Sequence, residues 1–326
     1  MKNKFRWGIA GTGVIAHKFA AGLGYLENAE ISAVCSRNLN TAEAFSKEFN
    51  IPKAYGSYED MAKDKELDLI YIATPHIRHK EDSTLFLKNG KGVLCEKPFA
   101  MNTEELKELV ECARLHKLPV MEGMWTRFMP AIVKLRELLK NKVIGDIQII
   151  TADFGFKADH NPKGRLFNKK LGGGALLDVG IYTVAFASMV MGKQPELIKA
   201  ITDIGTTGVD EKTSIQFRYD TGEIASLLCS ISTETPQQAV IMGTKGMITI
   251  PEFWKAEELI LSLAGEKEIK INLPIEGNGY NYEALAFMDT VNRGETENSI
   301  NSLDESLEIM KTMDKIRENI GLSYSE

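Results

Sequence analysis

Cysteine is scarce in this chain of 326 residues, with four at positions 35, 95, 112 and 229. They are widely spaced and form no C-x-x-C pair, so neither a zinc cluster nor a disulfide framework is supported; no metal site is expected, and the thiols are read as reduced and mostly buried. Basic excess is lacking as well. The formal net charge of -6, with charges scattered, leaves no stripe for nucleic acid and no polybasic patch for an anionic membrane. No apolar run is read as reaching the span of a bilayer, and Met1-Lys2-Asn3-Lys4 leads into a strand without a signal-peptide core, so a cytoplasmic place is expected. Repeats and low-complexity tracts are absent. What is present is 44% hydrophobic residues over a length suited to two domains with separate cores, and the ligands to expect are small molecules.

The first informative stretch is Phe5 to Ala16, an apolar run that breaks into glycines and then turns amphipathic. It reads as strand, phosphate loop and helix. Gly11 permits a tight turn, Gly13 lets the backbone approach a pyrophosphate, and Ala16 fills the small slot where helix meets strand. Thr12, Val14 and Ile15 complete the loop, and a helix opening there points free N–H groups at the phosphates. Ile31 to Cys35 closes the βαβ unit. At the end of that second strand an NAD enzyme carries an acid for the ribose 2′-hydroxyl; here stand Ser36 and Arg37, a hydroxyl and a guanidinium fork that suit a 2′-phosphate. NADP(H) is therefore expected ahead of NAD(H).

Further along, helix Thr41 to Phe49, strand Leu67 to Thr74, helix Lys80 to Asn89, strand Gly92 to Cys95, a helix capped by Thr103 and strand Pro119 to Met121 alternate. The reading is a parallel, doubly wound Rossmann sheet over 1–122. Ligands bind beyond the carboxyl ends of such strands, which places Thr74, Pro75, His76, His79 and Glu96 at the cofactor edge. Pro98 cannot continue a ladder and presents Lys97 in a fixed direction.

From 123 to 326 the texture changes to an α+β domain. A helix from Pro130 to Lys140 with Gly145 as its stop is followed by strands at Gln148–Phe156, Ala200–Asp203, Ser214–Tyr219, Ile224–Thr233 and Gln238–Thr244, implying an open, mostly antiparallel sheet with helices on one face. Its other face is left for a partner subunit. Leu171 to Tyr182 begins as a glycine loop and becomes a helix to about Met191, and helices Tyr282–Arg293 and Leu303–Asn319 close the chain, with scope to pack back on the first domain.

The ordered set Gly11-Thr12-Gly13-Val14-Ile15-Ala16, Ala73-Thr74-Pro75-His76 with His79, Glu96-Lys97-Pro98, and Gly172-Gly173-Gly174 with Asp178 and Tyr182 resembles the Gfo/Idh/MocA oxidoreductase family over essentially the whole chain. Trp125-Thr126-Arg127-Phe128, Phe154 and Leu171 to Tyr182 make it most similar to the branch of dimeric dihydrodiol dehydrogenase and glucose-fructose oxidoreductase. The resemblance implies that Lys97 lies beside the nicotinamide, that Tyr182 moves the proton, that Asp178 lines the same pocket, and that the second sheet makes a homodimer or a dimer of dimers. Tyr182 stands where many inositol and sugar dehydrogenases of the family have His, which disfavours myo-inositol.

The expected chemistry is hydride transfer between nicotinamide C4 and a secondary alcohol or ketone of a sugar or cyclic diol. A phenol near its ordinary pKa of roughly 10 needs a nearby cation, so Lys97 and Tyr182 are read as a pair. Asp178 either orients substrate hydroxyls or caps the turn at Gly174; His79 is an alternative acid or base or else structural. Trp125 and Phe154 wall the substrate pocket, with Trp125 and Arg127 also facing the cofactor. Two other functions fit the same residues: a redox-neutral sugar-modifying enzyme that retains its nicotinamide, and a non-catalytic NADP(H) sensor.

Overall fold

The computed structural model describes residues 4–324. Two compact units are formed, one by the chain up to Trp125 with Glu276–Leu307, the other by Thr126–Ile275 with the chain from Glu308 onward.

In the first unit, strands β1 (Phe5–Ala10), β2 (Ala29–Cys35), β3 (Lys53–Tyr55), β4 (Leu69–Ile72), β5 (Gly92–Glu96) and β6 (Val120–Gly123) form a parallel sheet in the order β3-β2-β1-β4-β5-β6. Chain direction across the sheet reverses between β1 and β4, so the switch point lies at the carboxyl end of β1. Helices α1 (Val14–Leu23), α2 (Leu39–Phe49), α3 (Tyr58–Ala62), α4 (His79–Lys88) and α5 (Thr103–His116) return the chain between strands. Strands β4 and β5, inside the sheet, and the edge strand β6 are buried at every position, as a sheet covered on both faces requires. Trp7 meets Phe19 edge-on at 5.4 Å, and Phe19 stacks on Tyr71 at 3.5 Å. One detail corrects the sequence reading: the cap of α5 is Asn102, whose side chain accepts from Glu105 N at 2.9 Å, and Thr103 is the first helical residue. Both types cap well, and only the extended backbone at Asn102 decides between them.

The second unit contains α6 (Pro130–Lys140), β7 (Ile147–Gly155), a π turn over Leu176–Gly180 that runs into α7 (Ile181–Met191), and strands β8 (Leu197–Ile204), β9 (Asp210–Arg218), β10 (Ile224–Ser230), β11 (Ala239–Gly243), β12 (Gly246–Ile250), β13 (Glu258–Leu263) and β14 (Ile269–Asn272). The eight strands lie in the order β14-β13-β12-β11-β7-β10-β9-β8, antiparallel except for the β7–β10 pair. The expected open, mostly antiparallel sheet is thus present, longer by β12, β13 and β14. Gly145 does not stop α6: the helix ends at Lys140 with Asn141 as its cap, and Gly145 turns the following loop at φ +76°. Strand β10 ends at Ser230 rather than Thr233 because the Ser230 hydroxyl accepts from the Ser232 and Thr233 amides and curls the chain.

The stretch Lys169–Met191 also corrects a reading. Its most apolar window has a mean hydropathy of 1.6 and is long enough to cross a bilayer, yet 89% of that window is buried in the fold. Ile181 to Ser188 are buried all round, the condition of a core helix packed on β7 and β10.

Helix α8 (Tyr280–Asn292) belongs to the first unit, where Phe287 and Met288 pack at Trp7. Helix α9 (Leu303–Ile320) ends the regular structure.

Candidate active site

At the carboxyl end of β1, Gly11 takes φ +111° and donates its N–H to Cys35 O at 2.9 Å. A Cβ there would fall 2.7 Å from Ala73 O, so the turn is closed to other residues. Gly13 differs. Its extended backbone suits any residue, and a Cβ would have no neighbour within 4 Å. The space in front of Gly13 is open, and the first turn of α1 carries no acid to compete with an anion. Thr12 and Ile15 are half-buried, Val14 is exposed, and Ala16 is buried against the sheet. Beyond β2, Ser36 is half-buried and Arg37 exposed, and the Arg37 guanidinium makes no ion pair among the described residues. An open glycine cradle, an unopposed helix N-terminus and an uncommitted guanidinium together fit a dinucleotide with an additional phosphate.

The ends of β4 and β5 are tied to each other by His79. Fully buried, its ring places Nδ1 2.7 Å from Pro98 O and Nε2 2.8 Å from Thr74 O. Both nitrogens are therefore engaged in holding loops, which is the structural side of the two roles expected. Thr74 and His76 are buried, Pro75 is half-buried, and His76 meets the His79 ring edge-on at 5.6 Å. Lys97 is half-buried and precedes a cis peptide to Pro98. The loop beyond it is fixed by Glu122, which accepts from Phe99 N at 3.1 Å and from the Ser306 hydroxyl at 2.7 Å.

Glu96, at the end of β5, is buried and accepts a hydrogen bond from the Tyr71 hydroxyl. Near it lies Glu283 of α8, fully buried, with neither carboxyl oxygen hydrogen-bonded among the described residues. Burial, and then the charge of Glu96, push the Glu283 carboxyl well above the ordinary carboxylate range, which favours its neutral form. Trp125 stacks on Tyr280 of the same unit at 4.6 Å.

In the second unit, Tyr182 is 8% exposed and Phe154 7%. Their rings meet edge-on at 5.4 Å, and Trp254 stacks on Phe154 at 4.9 Å. The Trp254 indole N–H donates to Gln237 Oε1 at 3.0 Å, fixing the ring. Asp178 is buried and accepts from the Arg165 guanidinium at 2.7 Å. Of its two expected roles, capping the Gly174 turn falls instead to Asp210, whose Oδ2 accepts Leu176 N at 2.7 Å. Arg127 is buried in a short turn, and its carbonyl accepts from the Arg136 guanidinium at 2.6 Å. Trp254 and Asp210 were missed by sequence reasoning. Phe253-Trp254 in a polar stretch was the one available signal for the first; nothing local marks the second.

Two family models match this chain. "Oxidoreductase family, NAD-binding Rossmann fold" covers residues 5–124, and the GFO/IDH/MocA C-terminal domain covers 132–249. The chain belongs to the GFO/IDH/MocA oxidoreductase family. Among its relatives, trans-1,2-dihydrobenzene-1,2-diol dehydrogenase of Mus musculus is 41% identical over 98% of both chains, and the Homo sapiens enzyme of that name is 38% identical over 98% of both. In fold it is similar to KijD10, a 3-ketoreductase from Actinomadura kijaniata solved with NADP and TDP-benzene, at TM-score 0.89, 22% identity and 98% of both chains. It is likewise similar to aldose-aldose oxidoreductase from Caulobacter crescentus, at TM-score 0.89, 20% identity and 97% of both chains. A Gfo/Idh/MocA oxidoreductase is what the ordered motifs imply, and the Rossmann order of the first sheet agrees with it.

Proposed function

We propose that this protein is an NADP(H)-dependent dehydrogenase or reductase that interconverts a secondary alcohol and a ketone on a sugar or cyclic diol, with trans-dihydrodiols as the first substrates to test. The observation that carries the reading is the buried Tyr182 phenol set edge-on against Phe154, itself stacked on Trp254. In this reading Tyr182 is the proton-transfer group and the neighbouring rings form an apolar wall, and a ring-shaped diol offers both an apolar face and an ionisable hydroxyl. The full-length similarity to dihydrodiol dehydrogenases supports it.

In this reading the backbone from Gly11 to Ile15 and the N-terminus of α1 hold the pyrophosphate, while Ser36 and Arg37 hold the 2′-phosphate. Thr74, Pro75, His76 and Glu96 shape the nicotinamide end, with His79 keeping their loops in place. When bound, the nicotinamide takes or gives the hydride. For oxidation, the carbinol carbon loses a hydride and its hydroxyl loses a proton to the Tyr182 oxygen, while the Lys97 ammonium is assigned to the nicotinamide end. Asp178, oriented by Arg165, accepts from a neighbouring substrate hydroxyl. Trp125 and Arg127 border the cofactor and substrate. We further propose that the exposed sheet face bearing Ile149, Leu197, Ile201, Ile224, Leu228 and Met247 makes a homodimer contact; Ile201→Asp should yield monomers in sedimentation, and an unchanged sedimentation coefficient sinks this part.

The test is NADP reduction by trans-1,2-dihydrobenzene-1,2-diol, followed by nicotinamide absorbance in wild type and Tyr182→Phe. Turnover in the former and a fall of about 10²–10⁴ in kcat in the latter are expected. Full activity of Tyr182→Phe refutes the proton role. Nicotinamide that copurifies and cycles without net absorbance change would instead favour the redox-neutral alternative.

A further inference from the structure

The turn that launches the Asp178–Tyr182 segment is held by groups outside it. Gly173 N–H donates to Asn168 O at 3.1 Å and Gly174 N–H to Leu166 O at 2.8 Å. Gly174 takes φ +116°, and a Cβ on it would fall 2.2 Å from Asp210 Oδ1. Asp210 opens β9 and is fully buried. Its Oδ2 accepts from Leu176 N at 2.7 Å and from the Thr213 hydroxyl at 3.1 Å. Its Oδ1 lies against Gly174 and has no hydrogen-bond partner among the described residues. From another direction the Tyr324 hydroxyl donates to Gly173 O at 2.6 Å, with the Arg317 guanidinium 5.5 Å from the Tyr324 ring centroid.

We propose that Asp210 is a positioning residue for the segment bearing Asp178 and Tyr182, and that a proton on its Oδ1 keeps the Gly172–Gly174 turn closed. The geometry assigns the two oxygens different tasks: Oδ2 supplies the lone pairs that satisfy the helix start, and Oδ1, buried and without a hydrogen-bond partner among the described residues, is where a negative charge is least tolerated. The ionisable groups around it do not reverse this. Arg317 of α9 favours the carboxylate, but its influence ranks behind burial; Cys229 of β10 and Tyr324 are themselves pushed up by burial and stay neutral. Burial lifts the Asp210 carboxyl from an ordinary 3.8 to about 7. An opened turn hydrates the carboxyl and returns it toward its ordinary value. Because the closed state binds the proton more tightly, opening becomes easier as pH rises between those two values and levels off above the higher one.

The proposal bears on turnover only through the roles given above to Tyr182 and Asp178, and its test therefore reads the turn directly. Hydrogen exchange at the Leu176 amide of the full chain is measured from about pH 5 to about pH 9 and corrected for intrinsic exchange. The opening constant in wild type is expected to rise about tenfold per pH unit up to near pH 7 and then flatten, and Asp210→Asn, which keeps an acceptor for Leu176 N without titrating, should give a flat profile. Parallel profiles for the two proteins, or no pH dependence in wild type, overturn the proposal. If Asp210→Asn does not fold, Tyr324→Phe decides: it removes only the donor to Gly173 O, so opening should increase at every pH with the wild-type slope retained, and a flat profile in that variant overturns the proposal. Full activity in Tyr182→Phe would defeat the functional reading and leave the exchange result standing.

Discussion

Gly11 and Gly13 are two residues apart, and the structure predicts opposite consequences for the same methyl group. In Gly11→Ala an L residue is forced to φ +111°, a region that costs about 1–3 kcal/mol. Its Cβ also lies 2.7 Å from Ala73 O and 3.3 Å from Thr74 N, both backbone atoms that must move, for a further ~1–3 kcal/mol. A total of about 2–6 kcal/mol corresponds to a fall in melting temperature on the order of 10 °C. In Gly13→Ala the backbone is extended and the methyl meets nothing, so the loss of a good cap residue and the stiffer unfolded chain offset within about 0.5 kcal/mol. Binding reverses the order of interest. A methyl on Gly13 occupies the space where a pyrophosphate would approach, and at least about 1.4 kcal/mol, a tenfold rise in Kd, is expected for NADPH. Calorimetry gives the melting temperatures and NADPH fluorescence the Kd. Wild-type affinity in Gly13→Ala would refute the phosphate cradle, and an unshifted melting temperature in Gly11→Ala would refute the close approach of β1 to the Ala73 backbone.

Two further outcomes follow from the first unit. Arg37→Ala removes the guanidinium at the end of β2 and should weaken NADP by about 1.5–3 kcal/mol, roughly 10- to 150-fold, while leaving NAD binding unchanged; equal weakening of both in parallel titrations discards the 2′-phosphate reading. Glu283 is an acid whose native pKa is raised, so its neutral form is the one that favours folding and its contribution is lost as pH climbs above the ordinary carboxylate range. Glu283→Gln should therefore melt higher than wild type by a margin that grows from acid to neutral pH, and a margin that shrinks with rising pH would sink the assignment of a neutral carboxyl.

Elements whose cause is local were legible in the chain. The βαβ start was readable because an apolar strand, two glycines and a small residue follow one another at fixed spacing, and the parallel order because helical and strand-like runs alternate. The last three strands of the second sheet were not. Gly246–Ile250 begins on the glycine of the turn itself, and Ile269–Asn272 is four residues at the edge of the sheet, so neither offers enough alternation to separate a strand from a loop. Lys169–Met191 was legible as a loop that becomes a helix to Met191, but not as a segment with a window apolar enough to cross a bilayer; the surrounding strands bury 89% of that window.

The site divides along the same line. Lys97 and Tyr182 could be singled out because they stand inside motifs, and Arg37 because a missing acid made its place conspicuous; their roles are proposals. Trp254 acquires meaning only when it stacks on Phe154, a hundred residues earlier in the chain, and Asp178 changes from a candidate cap to an ion-pair partner once Arg165 is seen beside it. Asp210 is the sharpest case. In the run Gly208-Val209-Asp210-Glu211 one acid is buried and the next is not, and nothing in the residue types separates them. What distinguishes Asp210 is that its carboxyl reaches the Leu176 amide at the start of the Asp178–Tyr182 segment while its second oxygen is buried without a hydrogen-bond partner among the described residues. A carboxyl's chemistry is set by what desolvates it, which is a property of packing between distant segments, and so the residues that position a reacting group are less readable from sequence than the reacting group itself.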